Sequence, residues 1–279
     1  MEAVLFIGHG SRKPEGNEQL LEFVNGMKQQ VKADIVETCF LEFAEPAIAT
    51  GIEACVKQGA TKVALVPMMF FSAGHAKIHI PAEVDKARQK FPLVSFTYGR
   101  PIGSHPGVIN ILADRLKEAG WQAKEGSSLV IVGRGSSDGD ANSELYKISR
   151  LLSERLNMTD VELSFIGVTS PTVEQAVERS LKLGASSVCL LPYFFFSGVL
   201  MDRMEEKLEG FKRSYPDSSF LMTKFFGFHP LLATIFKERA EEALQGLAAL
   251  NCDNCQYRLF AKEHLELDHN HDHHHHHHH

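Results

Sequence analysis

No apolar run in this chain reaches the roughly 18 to 20 residues that a membrane-spanning helix needs. The opening Met1-Glu2-Ala3-Val4 places no basic region ahead of an apolar one, so neither an anchor nor a secretory leader is expected. A basic excess is missing too: 29 Lys and Arg stand against 35 Asp and Glu, a formal charge of -6. That balance argues against nucleic acid as a general partner, because a phosphate-binding surface shows as surplus cations. Cysteine is sparse, and of the five, Cys39, Cys55 and Cys189 fall inside apolar segments and read as reduced core residues. The expectation is a cytoplasmic protein with no membrane and no nucleic-acid partner, acting as a monomer or homodimer.

Two histidines are missing from one half of a duplication. Gly8-His9-Gly10-Ser11 reappears as Gly133-Arg134-Gly135-Ser136, Phe40 to Pro46 as Phe165 to Pro171, and Leu65 to Pro67 as Leu190 to Pro192, all shifted by 125 positions. In the second copy His9 has become Arg134 and His75 has become Leu200, so imidazole chemistry survives in the first copy alone. The 279 residues suffice for two ordinary domains, each with its own apolar core. The repeat divides them into residues 1–124, 125–249 and a tail, 250–279.

Each copy alternates short β-rich runs with longer amphipathic stretches, which predicts an α/β fold: two duplicated lobes, each a parallel sheet flanked by helices. Strands are predicted at Ala3 to Ile7, Ile35 to Leu41, Lys62 to Val66 and Leu93 to Tyr98, with helices over Gly16 to Val31, Pro46 to Lys57, Ala76 to Lys90 and Pro106 to Ala119. The second copy repeats them, with strands at Leu129 to Val132, Val161 to Phe165, Ser187 to Leu191 and Phe220 to Lys224 and helices starting near Asp140, Pro171, Gly198 and Pro230.

His9 follows the first strand, Glu42 follows the second, and His75 falls in the loop after the third. In an open parallel sheet the carboxyl ends of the strands share one edge, so the three converge on one crevice. Two imidazoles and a carboxylate there form a site for a divalent first-row metal with positions left open. Taken singly, each has a plainer reading: a tight turn at His9, a solvated loop acid at Glu42, a surface pair or separate small metal site at His75 and His79. Their common topological position selects the functional reading.

Gly8-His9-Gly10-Ser11-Arg12, Phe40-Leu41-Glu42 with Glu45-Pro46, Val66-Pro67 before an apolar run ending at His75, and Tyr98-Gly99-Arg100-Pro101-Ile102-Gly103 together resemble the CbiX/SirB family of sirohydrochlorin chelatases. The resemblance spans both copies, and it implies a class II chelatase fold made by fusing two copies of a shorter ancestor. It implies ATP-independent insertion of Co2+ or Fe2+ into sirohydrochlorin, for cobalamin or sirohaem, and it carries the paired active-site histidines onto His9 and His75 and the accompanying acid onto Glu42. One departure is local: family members often have an acid before the Ile-Pro that follows the second histidine, where this chain has His79 before Ile80-Pro81.

Metal insertion needs a macrocycle held still, an ion partly stripped of water, and removal of two pyrrole protons. Imidazole both ligates a metal and accepts a proton near neutral pH. Three protein donors hold an ion yet release it to the four nitrogens of the ring. Acidic arms on the macrocycle call for cations, for which Arg12, Lys13, Lys77 and, reaching across from the second copy, Arg134 are the candidates, Arg pairing with carboxylate bidentately; Arg12 and Lys13 read equally as solvated loop residues. The apolar stretch Met68 to Phe71, matched by Tyr193 to Phe196, offers a flat face, although most of it reads as core.

In the tail, Cys252 and Cys255 form a CxxC resembling the tail of long family members, some of which hold an iron-sulfur cluster; a cluster takes four thiolates and this tail has two. A redox dithiol and an idle pair stay open. The tract from His269 to His279 is either an expression tag or a native metal-gathering tail, and the interspersed His269-Asn270-His271-Asp272-His273 favours the second. These appendages favour cobalt over iron as the substrate metal. Two rival functions are a histidine phosphatase, which takes Arg where this chain has Gly8, and a metal-storage or delivery protein, whose function would vanish with the tail.

Overall fold

In a computed structural model, residues 1–71 and 73–247 are described, with the backbone alone for residues 74–76. Eight strands and eight α-helices follow in chain order. The first lobe comprises β1 (Glu2–Gly8), α1 (Pro14–Met27), β2 (Ile35–Phe40), α2 (Ile48–Lys57), β3 (Lys62–Met68), α3 (Gly74–Lys90), β4 (Ser95–Tyr98) and α4 (Pro106–Glu118). The second comprises β5 (Ser127–Gly133), α5 (Gly139–Leu156), β6 (Val161–Phe165), α6 (Val173–Lys182), β7 (Ser187–Pro192), α7 (Val199–Ser214), β8 (Ser219–Met222) and α8 (Pro230–Leu244). Each lobe holds a four-stranded parallel sheet, ordered β2-β1-β3-β4 and β6-β5-β7-β8. Both orders reverse direction between the first and third strands of the lobe, the position where open α/β sheets form a ligand crevice.

Period-two alternation decides where the strand residues go. In β1, Val4 and Phe6 face one side of the sheet and Ala3, Leu5 and Ile7 the other; in β5, Leu129 and Ile131 face one side and Val130 and Val132 the other. The outer faces are covered by α2 and α3 in the first lobe and by α6 and α7 in the second. The inner faces, with α1, α4, α5 and α8 between them, merge into a single core that contains residues of both lobes. The expectation of one separate core per copy therefore describes the outer faces only. Phe236 of α8 shows why: fully buried, its ring meets Phe6 and Phe23 of the first lobe and Phe195 of the second.

Three of the shifts in predicted helix starts are informative. Pro46 and Pro171 stand outside α2 and α6 because their carbonyls accept the Phe40 and Phe165 amides, both at 2.8 Å, which keeps the chain extended beside the strand end. The third shift bears on chemistry. His75 lies inside α3 rather than in a loop, since the Lys77 amide bonds the Ala73 carbonyl at 3.0 Å and closes a helical turn ahead of the expected start.

An ionic seam adds to the apolar one. Arg239, 3% exposed, donates from Nε to the Pro101 carbonyl at 3.1 Å and from Nη2 to the Ile102 carbonyl at 2.9 Å, while Nη1 pairs with Glu242. Arg100 of the first lobe forks onto the same carboxylate at 2.9 and 2.8 Å. The Arg100 hydrogen bonds, with the Arg239 charge, hold the Glu242 carboxyl below the usual carboxylate range. Its contribution is complete above the unfolded carboxylate pKa of about 4.3 and is lost as pH falls through the lower folded value. Glu242→Gln is expected to cost about 1.5–3 kcal/mol at neutral pH. In urea unfolding the gap to the parent should narrow steadily below about pH 4.

Candidate active site

His9 and Glu42 stand just past the ends of β1 and β2, and the strand pairing continues between their loops. The Leu41 amide bonds the Gly8 carbonyl at 2.8 Å and the Glu42 amide the His9 carbonyl at 3.0 Å. The turn itself is tied to α1 by Asn17, whose Oδ1 accepts the Ser11 amide and whose Nδ2 donates to the Ser11 carbonyl, both at 2.8 Å. Gly10 makes this zipper possible. Its φ is +89°, and a Cβ there would sit 1.6 Å from the Glu42 carbonyl oxygen.

Held this way, His9 Nε2 lies 3.4 Å from Glu42 Oε1, each side chain about one-third exposed. Its Nδ1 lies 3.3 Å from the Gly10 carbonyl. A proton on Nδ1 donated to that carbonyl leaves the lone pair on Nε2, the atom facing Glu42, which is the arrangement metal-ligating histidines use. Arg134 of the second lobe brings Nη1 to 3.4 Å from the same Nε2.

These three line a cavity of about 460 Å³ between the lobes, with Met68, Phe70, Phe71 and Ala73 on one wall and Tyr193, Phe194, Phe195 and Leu200 on the other. Its volume falls in the ordinary range for small-molecule sites. Phe70 stacks on Phe195 at 3.7 Å and 7°, and Phe71 lies parallel to Tyr193 at 5.7 Å and 4°. The apolar run is thus cavity wall at Phe70, Phe71 and Phe195 as well as core. One polar group escaped the sequence reading: Tyr193, counted there only as part of the apolar stretch, is buried, and its hydroxyl has no hydrogen-bond partner among the described residues. The repeat holds the signal, a hydroxyl standing where the first copy has Met68.

His75 is the second residue of α3, two positions after the cavity-lining Ala73. Its side chain lies outside the described ones, and among the described residues no group of three His, Cys, Asp or Glu gathers. Arg12 is exposed, with Cζ 4.4 Å over the Phe43 ring. Lys77 is engaged elsewhere: Nζ bonds Asp138 Oδ2 at 2.7 Å and lies 3.5 Å from Asp140. Burial opposes its charge, but the Asp138 hydrogen bond and the two carboxylates outweigh it and raise its pKa. Lys77, Arg100 and Ile102 line a neighbouring cavity of about 440 Å³, so the Tyr98 to Gly103 motif flanks the His9 cleft rather than lining it.

A family model, CbiX, matches residues 3–119 and again 128–243. The chain belongs to the CbiX family. It is 52% identical to the sirohydrochlorin cobaltochelatase of Priestia megaterium over 95% of this chain and 88% of that protein. To the sirohydrochlorin ferrochelatase of the same organism it is 35% identical, over 88% and 91% of the two chains. The solved structure of SirB from Bacillus subtilis with Fe3+ superposes with a TM-score of 0.78 at 34% identity, covering 92% of this chain and 98% of that one. This CbiX-family chain thus has the chelatase fold, two parallel sheets flanked by helices.

The phosphatase alternative takes an arginine before His9, and this chain has Gly8 there, where a Cβ would already lie 2.7 Å from Leu20 Cδ1. Cys39, Cys55 and Cys189 are buried free thiols; burial pushes Cys55 and Cys189 up to about 12, which suits inert core residues. Among the described residues no helix is long and apolar enough to cross a membrane. Cys252, Cys255 and the histidine tract lie outside the described residues.

Gly10→Ala in this CbiX-family chain is expected to displace the Glu42 backbone and to lower Co2+ affinity at least about tenfold in calorimetric titration. Gly26→Ala is the control: its Cβ would meet nothing within 4 Å in the last turn of α1, and affinity should not change.

Proposed function

We propose that this chain is an ATP-independent sirohydrochlorin cobaltochelatase, which inserts Co2+ into the macrocycle on the route to cobalamin, in the cytoplasm. The observation that carries the reading is the cleft itself: an imidazole, a carboxylate and a guanidinium from the two lobes meet over aromatic walls, in a chain 52% identical to a sirohydrochlorin cobaltochelatase.

In this reading His9 Nε2 and Glu42 hold the incoming ion, with His75 as the third donor. Three donors leave positions open for water and then for pyrrole nitrogen. The macrocycle rests along Phe70, Phe71 and Phe195, where a flat apolar ring displaces water from both faces. Arg134 couples the two substrates. A cation arriving at Nε2 repels the guanidinium 3.4 Å away, and an acidic arm of the macrocycle is the natural partner for it, bound bidentately. Arg12 at the exposed rim offers a second cation. As the ring nitrogens take the metal, imidazole and carboxylate are released to accept the two pyrrole protons.

Fe2+ is the second reading, favoured by the 35% identity to a ferrochelatase; an imidazole and carboxylate set excludes neither ion. The test is an absorbance assay of sirohydrochlorin with Co2+ or Fe2+ and no ATP. The parent should turn over, faster with Co2+. His9→Ala and His75→Ala should each lower the rate roughly 100-fold or more, and Arg134→Ala should act mainly through a raised KM. Absence of turnover with both ions would sink the proposal.

A further inference from the structure

The lobes face each other about an approximate two-fold axis, and residues near it meet their own counterparts. Position 9 of the first copy touches position 9 of the second, as His9 with Arg134, and position 70 stacks on its equivalent, as Phe70 on Phe195. Away from such an axis an isologous interface makes each contact twice, residue i on j and j on i. Positions 13 and 77 obey this. Lys13 pairs with Asp202, the counterpart of position 77, and Lys77 pairs with Asp138, the counterpart of position 13.

Both positions are lysine in the first copy and aspartate in the second. Two identical lobes docked this way would set Lys against Lys or Asp against Asp, each pair repulsive. The unlike lobes satisfy both contacts at once. Lys77–Asp138 is the stronger arm, with both side chains under one-fifth exposed, whereas Lys13 and Asp202 are about half exposed. Asp138 is itself fixed, because its Oδ1 accepts the Asp140 amide at 3.0 Å and caps α5. Lys77 sits in the opening turns of α3, two residues past His75.

We infer that Lys13, Lys77, Asp138 and Asp202 are positioning residues: a charge-split clasp that admits only the unlike lobe and seats the start of α3, the turn carrying His75, against the second lobe. In the clasp Lys77 acts as a contact between lobes, a role other than the substrate-binding one expected from the sequence. Its catalytic consequence rests on the chelatase reading, whereas its effect on stability does not.

The test is charge reversal in the full chain. Lys77→Asp and Asp138→Lys, each setting like charges together, should lower Tm by about 5–10 °C and slow metal insertion roughly tenfold, as expected when a support for a ligand is lost. Combining the two restores an opposite pair in reversed sense, and should recover more than half of the lost Tm, the remainder being the α5 cap that a lysine cannot supply, with the rate back to within about twofold of the parent. Lys13→Asp with Asp202→Lys should show the same pattern with smaller amplitude, as exposed pairs do. Singles as stable and as active as the parent would overturn the clasp. So would a paired Lys77→Asp/Asp138→Lys variant no better than its singles. A paired variant with recovered Tm but a still-raised KM for sirohydrochlorin would assign Lys77 to the macrocycle instead. If the chain has no chelatase activity at all, the Tm arm decides by itself.

Discussion

The contact on which the rest depends is the packing of one sheet's inner face against its own copy. Phe70 on Phe195, Phe236 against Phe6 and Phe23, and the helices between them form one apolar body. Burying a ring of this kind contributes about 2–3 kcal/mol by removing its area from water, and here the area belongs to both lobes. The carboxyl edges of the two sheets are thereby brought to face each other, and the cavity between them exists only because the two-fold packing does.

On that near-symmetric frame the chemistry is one-sided. Loops that close through the same hydrogen bonds in both lobes, Glu42 amide to His9 carbonyl and Gly167 amide to Arg134 carbonyl, present imidazole on one side and guanidinium on the other. The duplication thus supplies two rims of equal shape and unlike charge. One suits a cation and the other an acidic arm, which is what a reaction between a metal and a polycarboxylate ring requires. The same split recurs at the clasp, where a position that would repel itself in two identical lobes becomes an attraction in unlike ones.

The strands, their parallel order and the meeting of His9 with Glu42 were legible because each follows from local pattern: alternation within a strand, and the rule that strand ends in an open sheet share an edge. Arg134 was legible as a substitution within a repeat. The place of His75 was not, since helix starts depend on which amide closes the first turn, and Gly74-His75-Ala76 carries no capping signal to announce it. The sequence offered Lys77 as a cation for substrate and could not display the Asp138 carboxylate that pairs with it. Tyr193 read as one more core aromatic until its hydroxyl was found buried without a partner.

By itself the sequence determined the fold class and the duplication and named the candidate donors, because these depend on residue type and spacing along the chain. Only the tertiary structure decided that the two copies share a core, that Arg134 stands beside His9, and that Lys77 is held by Asp138. These are contacts between residues roughly 60 to 230 positions apart, and such contacts arise when apolar area is buried between surfaces that no local pattern in the chain connects.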